Sequence, residues 1–306
     1  MSSVTRRGVL FVSVAGLAVA GTVLAAGGSV PIGPVQGAQR TVTVGLLDRT
    51  GTPVADVTTD DVIVREDGVA REVVRVAPGP PPTEVVILVD DSQAAATDLR
   101  DLRDALTRFT DRLADLDPPP AVRLATIGDR PTVVVDFTPS FPSVSRGIDR
   151  IATRPGSGAT LLEAIDESAQ ALARRRAERP VIVAFLNEAS PEFSTLTHQR
   201  VAQALRQVNA SLWTIVHTRR DGAGSSDAER EREIVLGDVT RQSGGRHQTI
   251  LASQHLPDAF TTLAAQLASR WAITYGRPDT LIPPSSLDVQ ARDRSWQVIA
   301  PRWSGR

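Results

Sequence analysis

Three short stretches of the chain end in oxygen-bearing side chains where chemistry could occur. In the first, the apolar run VVILV stops at Asp90-Asp91-Ser92-Gln93-Ala94. The second is Thr160, at the end of the glycine-rich GSGAT of residues 156–160. The third is Asn187-Glu188, which ends the apolar run VIVAFL. Hard cations such as Mg²⁺ take carboxylate, hydroxyl and water oxygens in a near-octahedral shell. The hydroxyls of Ser92 and Thr160 with the nearby carboxylates, gathered from three loops at one sheet edge, would offer oxygens of that kind. The competing reading needs no ion. Buried polar groups require partners, and Asp90, Ser92 and Thr160 could satisfy one another. Successive strand side chains face opposite ways, so Asp91 should turn away from Asp90. A third reading makes Ser92 a hydrolase nucleophile. The glycines of a G-x-S-x-G elbow are missing around it, and no histidine is placed by sequence as its base.

These residues need a scaffold that brings strand ends together. VVILV and VIVAFL are continuous apolar runs, the mark of strands buried on both faces of a parallel sheet. Leu99, Leu102, Leu106, Phe109 and Leu113 recur at helical spacing, with Thr97 as a candidate N-cap. AVRLATI and TVVVDF read as two strands, 143–152 and 161–177 as helices, and 197–208 as another helix. SLWTIVH is a strand, 227–242 a charged and exposed helix, 246–250 a short strand, 256–269 a last helix, and WAITYG a further strand. This alternation predicts an α/β fold, a doubly wound, mostly parallel Rossmann-like sheet, over residues 84–276. In such folds ligands bind at the carboxyl ends of the strands, where Asp90 lies.

Before it, residues 40–79 read as a small N-terminal β module. Val42, Val44 and Leu46 alternate, Val62 and Val64 alternate, Asp67-Gly68 is a hairpin signal, and Val73, Val74 and Val76 close a third strand. The prolines after position 78 mark a boundary. Residues 277–306 form a C-terminal extension in which Leu287, Val289, Trp296, Val298 and Ile299 suggest a strand pair. Ahead of all this, residues 1–39 read as an export signal and linker. Arg6 and Arg7 precede an uncharged run from Gly8 to Ala26, and small residues follow for cleavage after Ala26 or Ala38. Thr5-Arg6-Arg7 fits a twin-arginine or a general secretory signal equally. Both imply an exported protein, periplasmic or extracellular, held at a membrane only if the segment stays uncleaved.

Composition narrows the function further. The chain has 306 residues, net charge −1, and 34 basic residues that are all arginine. It has no basic field for nucleic acid. Cysteine is absent, which excludes disulfides, thiol nucleophiles and cysteine metal sites. The four histidines His198, His217, His247 and His255 show no i, i+3 or i, i+4 pairing of a zinc site. GSGAT lacks the lysine and spacing of a phosphate loop. Arg174-Arg175-Arg176 suits a helix C-terminus, and Asp60-Asp61 suits turn and cap duties.

The order of motifs resembles the von Willebrand factor type A family: strand-DxSxx, amphipathic helix, two strands, helix, glycine-rich loop with threonine, helix, strand-NE. DRTGTPVADVTTDDVIVREDGV and the closing LASRWAITYG resemble its exported bacterial subgroup. The resemblance implies a non-enzymatic protein-binding, adhesion-type module. It also implies a metal-ion-dependent adhesion site, in which Asp90, Ser92 and Thr160 match the motif. Two positions depart from it: Ala94 stands where the motif has a second serine, and Asn187 where it has an aspartate. The site is degenerate by that comparison. It would hold Mg²⁺ weakly and bridge it to an acidic side chain of a protein partner, or act as a metal-free scaffold.

Overall fold

The computed structural model describes residues 38–218, 226–278 and 284–303. The export signal and nearly all of the linker expected at the N-terminus lie outside the described residues. The linker's last two residues do not: Ala38 and Gln39 open the first strand and pair with Arg277 and Gly276.

A six-stranded sheet positions the site. Its strands are β5 (Glu84–Val89), β6 (Ala121–Thr126), β7 (Thr132–Thr138), β8 (Pro180–Asn187), β9 (Ser211–His217) and β10 (His247–Ile250). Their order is β10-β9-β8-β5-β6-β7, parallel except for β7, which runs antiparallel to β6. The apolar runs are continuous because each strand feeds two cores. Val85, Ile87 and Val89 of β5, with Val181, Val183 and Phe185 of β8, enter one core with Leu102, Leu106, Phe109 and Phe260. Val86, Leu88, Ile182, Ala184 and Leu186 enter the other with Leu161, Ile165, Val201 and Leu205. Strand alternation divides the residues between the faces. The first face is covered by α1 (Leu99–Ala114), α2 (Phe141–Asp149) and α7 (Leu256–Ala268). The second is covered by α3 (Leu161–Arg175) and α4 (His198–Val208), with α5 (Asp227–Ile234) and α6 (Thr240–Gln242) following. The sheet is therefore doubly wound, as the sequence predicts.

Two expectations about its helices change. Thr97 does not cap α1; Asp98 holds the N-cap position with its carboxylate turned elsewhere. The segment 227–242 is not one exposed helix. A π-turn, Val235–Val239, interrupts it, and Arg232, Val235, Leu236, Val239 and Thr240 are buried.

The β layers are built from both ends of the chain. β1 (Ala38–Leu47) pairs with β11 (Trp271–Arg277), and β4 (Val73–Pro78) lies on the far side of β11. β2 (Val62–Glu66) pairs with β3 (Val69–Arg71) across the Asp67-Gly68 turn, where both residues have positive φ. The C-terminal strands separate rather than pairing: β12 (Leu287–Ala291) joins β2, and β13 (Gln297–Ile299) joins β1. Val42, Val44, Leu46, Val62, Val64, Ile273, Tyr275, Leu287 and Val289 form this core. WAITYG, read as a strand in series with the parallel ones, thus lies among antiparallel partners in a separate sheet.

Candidate functional site

Five loops meet at the carboxyl edge of the parallel sheet, and backbone bonds tie them together. Arg154 N–H donates to the Asp91 carbonyl (2.8 Å), Thr160 N–H to Ile127 (2.8 Å), and Ala159 N–H to Pro191 (2.7 Å). Phe193 N–H returns a bond to Ala159 (2.8 Å), and Glu188 N–H donates to His217 (3.0 Å). Two glycines make the approach possible. A Cβ on Gly128 would stand 2.6 Å from Asp91 Oδ1, and one on Gly158 would stand 2.6 Å from the Pro191 carbonyl. Both are far inside van der Waals contact, which explains the glycine in GSGAT without any phosphate.

Asp90, Ser92 and Asn187 come together here, with a residue the sequence reading did not select. Asp90 Oδ1 accepts from Ser92 N–H (2.9 Å). Its Oδ2 accepts from Asn187 N–H (3.0 Å) and from the Ser190 hydroxyl (2.5 Å). The Ser92 and Ser190 hydroxyls are 2.7 Å apart; with the Ser190 proton on Asp90, Ser92 donates to Ser190. All four residues are at most 1 % exposed. Burial pushes the Asp90 carboxyl above its ordinary pKa, against the pull of those hydrogen bonds.

Thr160 does not join them. Its hydroxyl donates to the Ile127 carbonyl (2.9 Å), fastening the start of α3 to the end of β6. Asp91 does turn away from Asp90: its carboxylate takes Gly128 N–H (2.6 Å) and Arg154 Nε (2.8 Å).

A second buried group adjoins the first through Asn187. The Asn187 amide donates to Asp98 Oδ2 (2.8 Å), and its carbonyl oxygen accepts from Ala189 N–H (3.0 Å). His217, at the end of β9, places Nδ1 2.9 Å from the same Asp98 oxygen. The sequence reading passed over Asp98 in favour of Thr97, and read His217 only as a lone histidine. A third group pins the loop after β8. Arg232 of α5 donates to the Ser190 carbonyl (2.7 Å). Glu192 accepts from Leu161 N–H (3.0 Å) and the Ser194 hydroxyl (2.5 Å), while its Oε2 lies 4.0 Å from Arg232. Burial pushes Glu192 up to about 7, offset only in part by Ser194 and by the Arg232 charge. Nothing in the sequence marked Glu192 or Arg232, because both sit among residues that read as solvated.

Comparison with known proteins gives the architecture its name. Residues 85–189 match the family model described as von Willebrand factor type A domain. The solved structure of a von Willebrand factor type A protein from Catenulispora acidiphila superposes with a TM-score of 0.50 at 10% identity, covering 87% of this chain and 74% of that one. The fold is that of a von Willebrand factor type A domain. Two further structures superpose less closely. BatB from Bacteroides thetaiotaomicron has a TM-score of 0.46 at 16% identity, covering 61% of this chain and 100% of its own. Manganese-loaded TRAP protein from Plasmodium vivax has 0.45 at 12%, covering 71% and 96%. No curated protein sequence matches the chain.

The von Willebrand A fold thus raises the question of a metal at Asp90, and the donor set answers it. An ion needs deprotonated, available oxygens. Asn187 brings no charge, and its oxygen already accepts from Ala189 N–H while its amide is held by Asp98. Asp90 already accepts three hydrogen bonds from protein groups. Thr160 is turned to Ile127, and position 94 has no hydroxyl. The residues present do not fit a divalent cation at this strand end.

Proposed function

We propose that the chain is an exported, non-enzymatic protein-interaction module of the von Willebrand factor A type, working at the carboxyl edge of its parallel sheet without a metal ion. The observation that carries this reading is the closed hydrogen-bond set around Asp90. Ser190 supplies a hydroxyl to both Asp90 and Ser92, so protein groups tie the loops together here. An ordered edge is a pre-organised one, which lowers the cost of binding. Phe193 is 53% exposed on the loop that Arg232 and Glu192 secure, and Leu251 is 74% exposed just beyond β10. Exposed apolar residues on a rigid edge are suitable anchors for a protein partner. The acidic partner bridged through Mg²⁺, which the family resemblance implies, has no support in the donor set.

Against a serine hydrolase, Ser92 is fully buried and its hydroxyl bonds to Ser190 rather than to a histidine. His217 faces Asp98. No helix among the described residues is long and apolar enough to cross a membrane. The test is affinity capture from an envelope and secreted fraction with wild type and a Phe193→Asp/Leu251→Asp variant. One protein should be retained equally with and without EDTA and lost in the variant, whose melting temperature stays unchanged. Retention abolished by EDTA, or untouched by the substitutions, would overturn the proposal.

A further inference from the structure

At the opposite, amino-terminal edge of the parallel sheet, a cleft of about 660 Å³ separates that edge from the β layers. Its walls include Arg179 at the entry to β8, Ser211 at the entry to β9, Thr41 and Thr43 of β1, Arg270, and Trp303. Two of these residues are cations without a counter-charge. The Arg270 guanidinium is buried, with Nη1 lacking a hydrogen-bond partner. Its Nη2 reaches the Thr43 and Ile299 carbonyls, each at 3.4 Å, and its face lies over the Trp213 ring, 5.7 Å from the centroid, so it has partial partners but no counter-charge. Arg179 likewise has a buried Nη1 without a partner. Neither makes an ion pair with any described carboxylate. The buried carboxylate in the cleft, Glu66, is engaged by Arg71, Arg277 and the Tyr275 hydroxyl.

An unpaired charge in such a place is costly, and buried cations are ordinarily paired. Here two stand close enough to repel: Arg270 is depressed to about 9 by burial first and by the Arg179 charge second, and Arg179 to about 10 by burial. Two guanidinium forks present many donors in the geometry that suits phosphate and carboxylate oxygens. A dianion would neutralise both. The cleft is larger than a bare phosphate and lies in the size range of small-molecule sites. Leu267, Leu287 and the Trp303 ring offer apolar wall to the rest of such a ligand.

We propose that this cleft is a ligand site for a small molecule carrying a phosphate-type oxyanion, with Arg270 and Arg179 as the anion-binding groups. It is independent of the carboxyl-edge surface and stands if that reading fails. The experiment is thermal unfolding of the full chain in inorganic phosphate and in phenyl phosphate, against sodium chloride of equal ionic strength. Phosphate should raise the melting temperature, by roughly 2–3 °C at ten times the dissociation constant, and phenyl phosphate should act at lower concentration. Arg179→Gln, at a half-buried position, should weaken the response at least tenfold. Arg270→Met should abolish it while melting no lower than wild type without ligand, because an unpaired buried charge has been removed. A wild-type response no larger than that to chloride would overturn the proposal. So would an undiminished response in Arg179→Gln, which decides the matter even if Arg270→Met fails to fold.

Discussion

At the residue scale, the carboxyl edge is a set of polar groups that have already found one another. Asn187 is the sharpest instance. Its amide joins the Asp90 group to the Asp98–His217 pair, so an aspartate there would set a carboxylate against Asp98 at about the present 2.8 Å. Asn187→Asp, although it restores the residue of the family motif, should destabilise the protein by about 3 kcal/mol. Chemical denaturation with and without millimolar Mg²⁺ checks this, and the added ion should give no rescue. Glu192 gives a second, pH-resolved prediction. Its carboxyl sits at about 7 in the fold against an ordinary 4.5. Between those values the folded chain holds a proton that the unfolded chain has lost, so stability falls as pH rises through the window, by about 3 kcal/mol in all. Glu192→Gln should flatten that part of the curve, seen as a smaller difference in urea midpoint between pH 5 and pH 8 than in wild type. Of this site, Asp90, Ser92 and Asn187 were legible as strand-end oxygens. Ser190, Asp98, His217, Glu192 and Arg232 were not, since each works through a partner from a distant loop.

At the scale of elements, the readable signals were those of periodicity. β5 and β8 announced themselves by unbroken apolar runs because each side chain meets a core on one face or the other. The alternation in WAITYG was a different signal: only Ile273 and Tyr275 among those six residues are buried, as suits a strand with one dry face. That pattern, rather than chain order, decides which sheet β11 joins. The charged DAERERE misled because Arg232 finds carbonyl partners inside the protein instead of water. The loops between elements depend on close backbone approach, and Gly158→Ala tests it. The added methyl would press on the Pro191 carbonyl and the Phe193 ring. The expected cost is about 1–3 kcal/mol, measured by urea denaturation.

At the scale of the whole molecule, the β layers take chain from both ends while the wound sheet lies between them in sequence, so the C-terminal strands hold the N-terminal ones in place. Leu287 and Val289 of β12 are each 6% exposed and cover the core that Val44 and Leu46 fill. Leu287→Ala with Val289→Ala should lower stability by roughly 4–6 kcal/mol at about 2–3 kcal/mol for each truncated side chain, read from the thermal midpoint. The arrangement leaves the carboxyl edge free of the β layers, with Phe193 and Leu251 open to a partner, and it places the arginine-lined cleft at the other edge.

The central claim is that the strand end is ordered by hydrogen bonds and not by an ion. Calorimetric titration of Mg²⁺ and Mn²⁺ into wild type and Ser92→Ala tests it most directly. The account predicts no saturable heat in either protein at millimolar ion. Saturable one-to-one binding in wild type that Ser92→Ala abolishes would contradict it.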